Sequence, residues 1–375
     1  MGAITSALIC TNQLFMWAGS ELVAIEMAEE LLGRGVQVTL CAPLADRAFL
    51  RAIFPAEVGI HDHPDTVDLT RHDLVYAQHH VFPLILEAAL ARGDRLGCGP
   101  VLVCNHLSPT TPLEAPGPWV EASLADVILA NSPETQARLA SHGPPFDGAR
   151  LWPNPAPADF AGPLPPARSP APGLLAVANF RVPELDAALA QLAHGGITVR
   201  RIGRRHRHAR LRPEDLVPVQ GVVSIGKTVQ YALRAGRPVY CYGPHGGPGW
   251  LTADSYAAAR AANFSGRSHP HRKTAEHIAR ELRAGPPGGE DGALALAQGL
   301  DPVAEGFCLE PLVEGLLEEA GRRRADPVWQ ARRRALLASA ELRQRVGLEA
   351  NLARAVADLY LKLHRDRAQR LTGAA

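Results

Sequence analysis

The 375-residue sequence predicts an α/β protein with two Rossmann-like, doubly wound domains that face each other across a cleft. Three observations lead to this prediction. Apolar, strand-like runs alternate with helical patterns over residues 1–155, and the same alternation starts again at residue 173. Prolines are concentrated between the two series, over residues 156–172, as in a stiff interdomain linker. A chain of this length is also expected to hold two domains rather than one.

The composition is that of a large enzyme whose main partner is not a nucleic acid. Apolar residues make up 46% of the sequence, which is enough for two cores, and the formal net charge is only +1. The six cysteines form no C-x-x-C pair, so they indicate reduced core residues rather than a disulfide or zinc framework. We find neither a signal peptide nor a transmembrane helix, and we expect a cytoplasmic protein.

The first series of elements is read from short apolar runs and one clear helical pattern. A helix is predicted over residues 20–32, because Leu22, Ile25 and Leu32 lie on one face and Gly33 follows. A second helix is predicted over residues 83–92. The strands of this series are predicted at residues 4–10, 36–41, 73–77, 101–104 and 126–130.

The second series starts at residue 174 and centres on residues 222–250, which have the pattern of a βαβ unit. A buried strand at 222–223 leads through a tight turn into a helix at 228–235, which Gly236 ends. A strand at 238–242 and a glycine loop at 243–249 follow.

The turn before this helix is a candidate phosphate or diphosphate site. Gly226 lets the backbone approach a ligand closely, and the first N–H groups of the helix point outward at the positive end of its dipole. Ser224, Lys227 and Thr228 place further donors around the same point. The alternative is a structural turn with a surface lysine.

The tail, residues 327–375, is predicted to form helices that pack back on the body, with a C-terminal helix crossing the junction. Apolar residues recur at helical spacing along it, namely Leu348, Leu352, Val356, Leu359 and Leu363. Arginines cluster at 322–324 and 332–334. Two interpretations stay open for them: contact with anionic headgroups at the inner face of a membrane, or a solvated helix face.

Six segments of the chain follow one another as in a known family. They are Ala18-Gly19-Ser20-Glu21, DLVYAQHH, VLVCNHLSP, ADVILANSPETQARL, Trp152-Pro153-Asn154 and ALRAGRPVYCYG. Over nearly its whole length the chain therefore resembles GT-B glycosyltransferases of the family-four type. The pieces SIGKTVQYAL, PVYCY and NFSGR are similar to transferases of bacterial capsule and surface-polysaccharide loci.

The resemblance implies transfer of a sugar from a nucleotide-diphosphate sugar to a glycan or lipid-linked glycan. It also implies that no metal and no cofactor other than this donor is needed. Because acceptors of the family are often lipid-linked, it implies contact with the inner face of the membrane. The alternatives are a catalytically silent GT-B partner protein and a sugar-nucleotide epimerase, which would need carboxylates in the cleft.

The chain departs from the family at its donor motif, E-x-F-G-x-x-x-x-E. The motif's glycine aligns with Gly226, but its two glutamates fall on Val223 and Tyr231. Either Tyr231 would then orient the ribose through its hydroxyl, or Gln230 would substitute for the missing glutamate. Arg181 and Lys227 would replace the family's diphosphate-binding arginine and lysine.

The resemblance and the residues together give the candidate site. The catalytic candidates are His106, Lys227 and Glu114. The candidates for binding the donor and its phosphates are Arg181, Ser224, Gly226, Lys227, Thr228, Tyr231, His245, Gly246, Gly247 and Arg267. The acceptor-side candidates are Gly19, His79 and His80. For His106 a satisfied structural histidine is the alternative. In the basic cluster at 200–212, Arg204 or Arg205 would contact the leaving diphosphate, and a solvated loop is the alternative.

Overall fold

The computed structural model describes residues 2–162, 173–287, 296 and 299–372. Residues 163–172 of the predicted linker lie outside the described residues. The two predicted domains have separate sheets, one of seven strands and one of five. The prediction of two α/β domains is therefore confirmed.

The first domain is built on a parallel sheet with strand order β5-β3-β1-β6-β7-β8-β9. Its strands and the separate β2–β4 pair are β1 (Ser6–Cys10), β2 (Gln13–Leu14), β3 (Gln37–Cys41), β4 (Leu44–Ala45), β5 (Gly59–His61), β6 (Leu74–Gln78), β7 (Val101–His106), β8 (Val127–Ala130) and β9 (Arg150–Leu151). Its helices are α1 (Gly19–Gly33), α2 (Arg47–Arg51), α3 (Phe82–Arg92), α4 (Val120–Leu124) and α5 (Pro133–Ala140). Short 3₁₀ turns lie at Pro64–Thr66, Leu69–Arg71, Pro112–Glu114, Phe146–Gly148 and Ala158–Phe160.

The second domain has the strand order β11-β10-β12-β13-β14, parallel except for β14. Its strands are β10 (Gly173–Val177), β11 (Thr198–Ile202), β12 (Gly221–Ser224), β13 (Val239–Gly243) and β14 (Gly246–Trp250). Its described helices are α6 (Pro183–His194), α7 (Pro213–Leu216), α8 (Lys227–Arg234), α9 (Ala253–Ala261) and α10 (Ala275–Ala284).

Both sheets are buried on two faces, as parallel sheets are when helices cover them. Within the described residues, each sheet separates two apolar clusters. Ile9 and Leu40 point to one side of the first sheet, and Leu8 and Cys41 point to the other. This burial explains why its strands read as continuous apolar runs in the sequence.

Three helices follow the second domain and return to the first: α11 (Leu309–Ala325), α12 (Pro327–Ala338) and α13 (Ala340–Thr372). Val313 and Leu316 of α11 are buried in the core of the first domain. The return therefore begins at Leu309, whereas the sequence placed it at residue 327. No described helix combines the length and the apolar character that crossing a membrane requires.

The face by which α13 packs differs from the predicted one. Leu348, Leu352 and Leu359 are exposed, and the buried residues are instead Leu342, Val346, Ala350 and Ala353. The helical period was therefore right and its phase was wrong. Alanines close to a neighbouring helix bury less area than leucines, so a hydrophobicity pattern underrates the side that they occupy.

The predicted glycine loop at 243–249 is wrong, because most of it is the antiparallel strand β14. The glycines serve close backbone packing. A Cβ on Gly246 would lie 2.8 Å from the His271 carbonyl oxygen, and one on Gly247 would lie 2.1 Å from that of Cys241. These residues form a hairpin edge, which is a reason for glycine that does not involve a ligand.

Candidate functional site

A cavity of about 310 Å³ lies between the two domains. The first domain contributes the loop before α1, the start of α1, Leu107 and Asn154. The second domain contributes the carboxyl ends of β10, β11 and β12 and the start of α8. Ligands of doubly wound sheets bind at this edge of the strands. No aspartate or glutamate of the described residues lines the cavity.

Two helices direct their N-terminal ends at this cavity, one from each domain. Neither Ala18, which precedes α1, nor Gly226, which precedes α8, provides a side-chain cap. The first N–H groups of both helices are therefore available to a ligand. The first turn of α8 contains no acidic residue, whereas that of α1 contains Glu21. The start of α8 is the better anion site for this reason.

The glycines at these helix starts leave room for a ligand. Gly226 has φ +61°, and a Cβ built there would meet nothing within 4 Å. Gly19 is equally open and also lines the cavity. Gly226 therefore serves both purposes that the sequence suggested, a backbone turn that disfavours side chains and an unobstructed approach.

Lys227 does not have the environment that the sequence suggested. We expected an unpaired lysine that contacts a diphosphate, with a surface lysine as the alternative. Its side chain is instead 5% exposed, and its Nζ lies 2.7 Å from Glu26 Oε2 on α1. Nζ also donates to the Pro155 carbonyl oxygen at 2.7 Å. Burial lowers the pKa of Lys227, and the Glu26 carboxylate opposes that effect. Lys227 still lines the cavity.

Tyr231 likewise has a partner other than a ligand. Its hydroxyl donates to Glu26, and its ring stacks on Phe160 with centroids 4.5 Å apart. The residue is 1% exposed, although it also lines the cavity. The hydroxyl that was expected to hold a ribose is therefore engaged at the domain interface.

The remaining candidates on the second domain divide into two groups. Ser224 and Thr228 line the cavity, and the Ser224 hydroxyl donates to the Val177 carbonyl oxygen at 2.7 Å. The others do not belong to its lining: Arg181, His245, Gly246, Gly247 and Arg267. Arg267 instead binds Glu134 of α5, with its Nη2 2.6 Å from Oε2, and so connects the domains.

The basic cluster at 200–212 is largely committed to ion pairs within the protein. Arg210 binds Glu29 of α1 at 2.6 Å, and Arg201 lies 3.1 Å from Asp186. Arg210 therefore joins the two domains. The sequence had suggested a phosphate contact or a solvated loop for this cluster, and neither interpretation includes this role.

His106 has the properties of a satisfied structural histidine, which was the alternative interpretation. Its Nδ1 contacts the Glu114 carbonyl oxygen at 2.9 Å and its Nε2 lies 2.7 Å from Glu121. Burial alone would lower the pKa of His106, but the Glu121 carboxylate outweighs it and raises that pKa to about 9. Neither ring nitrogen is left for a substrate, and His106 does not line the cavity.

His79 and Glu114, proposed separately, lie together, but neither lines the interdomain cavity. His79 Nε2 is 3.2 Å from Glu114 Oε1, and its Nδ1 accepts the Asn12 N–H at 3.2 Å. The other Glu114 oxygen accepts the N–H of Leu107, which lines the cavity. His80 faces a separate small cavity beside Glu121. Burial lowers its pKa, so we expect a neutral imidazole there.

Three residues of the site were not identified from the sequence. Asn179 donates to the Trp17 carbonyl oxygen at 2.8 Å, and both residues line the cavity. Asn154 lines the cavity, is 4% exposed and has an Oδ1 without a hydrogen-bond partner. Glu26 joins α1 to α8. In the sequence, Asn154 was identified only as part of the segment Trp152-Pro153-Asn154. The only signal for Glu26 was a charged residue among apolar neighbours in the predicted helix at 20–32.

Among the described residues, no group of three or more His, Cys, Asp or Glu side chains is arranged to hold a metal ion.

Comparison with known proteins identifies the first domain and the fold. The family model described as Glycosyltransferase Family 4 matches residues 17–160. No curated protein matches the chain by sequence. Anabaena Alr3699/HepE in complex with UDP has a similar structure, with TM-score 0.50 and 13% identity, over 84% of this chain and 99% of that one.

Two further structures are similar at the same low identity. HepE from Anabaena in complex with UDP and glucose has TM-score 0.51 and 14% identity over 84% of this chain and 99% of that one. MurG from Acinetobacter baumannii has TM-score 0.48 and 12% identity over 84% and 99%. Residues 17–160 are thus similar to the glycosyltransferase family 4 domain, and the chain shares the two-domain GT-B fold of the HepE structures.

Proposed function

We propose that this protein transfers a sugar from a nucleotide-diphosphate sugar to a glycan or lipid-linked glycan, in the synthesis of a bacterial surface polysaccharide. The interdomain cavity is the observation that carries the proposal. It lies between the two domains and includes the free N-terminus of α8. The N–H groups at this end of the helix suit a diphosphate.

The proposed reaction needs stabilisation of a leaving diphosphate as its charge increases. The N–H groups of the first turn of α8 are fixed before the reaction, so they stabilise this charge without reorganisation. The position of the cavity between two domains also limits the access of bulk water to the reacting centre, which favours transfer over hydrolysis of the donor.

The two alternative functions differ in what they require of the cavity. An epimerase would need carboxylates beside the sugar, and the described lining contains none. A silent partner protein would still bind a nucleotide. Lys227 and Tyr231 both contact Glu26 rather than an open site, and this observation favours the silent protein as the second candidate.

A donor screen followed by product analysis tests the proposed function. Nucleotide sugars with uridine, thymidine, guanosine, adenosine and cytidine are added singly, and the melting temperature is recorded, because a ligand of the folded state raises it. The donor that raises it is then incubated with lipid-linked glycan extracts. Sugar transfer supports the proposal, binding without turnover supports the silent protein, and an isomerised donor supports the epimerase.

We also propose that transfer of a hexosyl or related sugar needs no metal and no cofactor beyond the donor. The fixed N–H groups of α8 supply the stabilisation of charge that a metal provides elsewhere. Dialysis against EDTA should leave the rate unchanged. A rate that falls and returns with Mg²⁺ or Mn²⁺ would contradict this proposal.

The remaining proposal is a cytoplasmic protein with peripheral contact to an anionic membrane surface. Arg332 and Arg334 are exposed, whereas Arg324 is paired with Asp73 and Arg333 is buried against Asp126. Reversal of the exposed pair to glutamate should weaken flotation with phosphatidylserine vesicles. Flotation that does not depend on the anionic lipid would count against electrostatic contact.

A further inference from the structure

Glu26 is a carboxylate of the first domain on which three donors of the second domain converge. Its side chain is 1% exposed, and its Oε2 lies 2.7 Å from Lys227 Nζ. Its Oε1 accepts the Tyr231 hydroxyl and lies 3.3 Å from Arg210 Nη2. This carboxylate is therefore a principal electrostatic contact between α1 and α8.

Lys227 belongs both to this contact and to the cavity. It is the first residue of α8, directly after Gly226, and it lines the cavity. An ammonium group has three N–H donors, and here they face Glu26 and the Pro155 carbonyl oxygen. A diphosphate at the start of α8 would bring negative charge within the reach of this flexible side chain. The diphosphate and Glu26 would then compete for the same ammonium.

The charges of the contact balance without a ligand. Lys227 and Arg210 are positive, and Glu26 and Glu29 are negative, with Arg210 bound to Glu29 at 2.6 and 2.7 Å. A diphosphate adds negative charge beside the buried Glu26, where salt screens poorly. The diphosphate and the Glu26 carboxylate repel each other most strongly while Lys227 stays bound to Glu26. This repulsion decreases when the Lys227 ammonium turns to the diphosphate.

We propose that Glu26 is a built-in competitor of the anionic ligand. It holds Lys227 at the domain interface and releases it to a diphosphate bound at the start of α8. Linkage makes the effect reciprocal: if Glu26 weakens diphosphate binding, the diphosphate weakens the contact between α1 and α8 by the same factor. Binding of the donor would thus loosen the two domains at this point. The inference rests on the proposed function only for the position of the diphosphate.

The test is a double-mutant cycle in which inorganic pyrophosphate and UDP are titrated by calorimetry. Glu26→Gln keeps an acceptor for Tyr231 but removes the charge that competes for Lys227, so pyrophosphate should bind about tenfold more tightly, a gain of one close charge interaction. Lys227→Met should bind it more weakly. In the double variant the effect of Glu26→Gln should disappear, because the contested ammonium is absent.

Two further variants test the same proposal if Glu26→Gln folds poorly. Tyr231→Phe removes a donor from Glu26 and leaves that carboxylate more strongly bound to Lys227, so pyrophosphate should bind more weakly. Glu29→Gln is the matched control, one turn along α1, because Glu29 binds Arg210 rather than Lys227. It should change the affinity less than Glu26→Gln does.

The outcomes separate this inference from the proposed function. Unchanged or weaker binding by folded Glu26→Gln would overturn the inference, as would equal tightening in the absence of Lys227. If the wild type binds neither pyrophosphate nor a diphosphate of any of the five nucleosides in the donor screen, the proposed function itself fails.

Discussion

At the scale of single residues, Gly226 shows how one backbone angle supports a binding site. Its φ of +61° places α8 so that the first N–H groups of the helix face the cavity. A β-branched residue is strained at such an angle, and its side chain would project into the space that a phosphate needs.

The first prediction follows from this position. Gly226→Val should abolish measurable pyrophosphate binding and lower the free energy of unfolding by about 1–3 kcal/mol through backbone strain. Gly93→Val is the matched control, since Gly93 has φ +76°, equally open surroundings and a place at the end of α3 away from the cavity. The control should lose similar stability in urea denaturation and keep its affinity. Equal loss of affinity in both variants would show that strain, not position, matters.

The ion pair of His106 and Glu121 gives a second prediction, on pH. The pKa of His106 is raised to about 9, above the value of an unfolded histidine, because the Glu121 carboxylate holds its proton. Its stabilisation is complete below about pH 6.5 and is lost as the pH rises through about 9. That loss is of the order of 3 kcal/mol.

Urea unfolding between pH 6 and 10 measures this loss directly. The wild type should lose stability over this range more steeply than the double variant His106→Gln/Glu121→Gln, which removes both charges and leaves no buried carboxylate unpaired. Parallel slopes would mean that His106 is not the group whose proton is released.

At the scale of elements, the attachment of α12 to the first domain depends on Asp126 beside β8. Asp126 accepts the Trp329 indole N–H at 2.6 Å and the Leu102 backbone N–H at 2.9 Å, and it pairs with the buried Arg333. Loss of one partner leaves a buried charge without compensation, which is costly.

The third prediction compares two neighbouring arginines of α12. Arg333→Met should lower the free energy of unfolding by about 3–5 kcal/mol. Arg334→Met, on the exposed side of the same helix, should change it by no more than about 0.5 kcal/mol. Differential scanning calorimetry of both variants checks this, and equal melting temperatures would mean that the ion pair does not hold α12 in place.

The same elements show which features a sequence pattern reveals. The parallel strands were predictable because their residues are apolar on both faces, and α1 and α8 were predictable because glycines mark their ends. The phase of α13 was not predictable, because its buried side includes Ala350, Ala353 and the charged Glu349, whereas Leu348 and Leu352 are exposed. The hairpin at β14 was missed because its glycines resemble a ligand loop, while they serve contact with neighbouring carbonyl groups.

At the scale of the whole molecule, residues of both domains line the site. The sequence therefore reveals single residues of the site but not the contacts between the domains. Gly19 and Gly226 were identified locally, since each marks the start of a helix. The partners of Lys227 and Arg267, Glu26 and Glu134, are far away in the sequence and become neighbours only when the domains meet. Both lysine and arginine were therefore interpreted as free cations, although each holds the interface.

Among the described residues, several contacts that join the two domains near the cavity are polar. Asn179 bonds to the Trp17 backbone, Arg267 to Glu134, and Lys227 to Glu26. Such contacts exchange partners at lower cost than apolar packing does, which suits an interface that opens for a substrate and closes over it.

The central claim, that a nucleoside diphosphate binds at the start of α8, is tested most directly by a crystal structure of a complex. The crystal is soaked with the nucleoside diphosphate that most raises the melting temperature. The diphosphate should lie within hydrogen-bonding distance of the Lys227 and Thr228 backbone N–H groups, with Lys227 Nζ turned from Glu26 toward it. A diphosphate bound outside this cavity, or held there without contact to the first turn of α8, would contradict the claim.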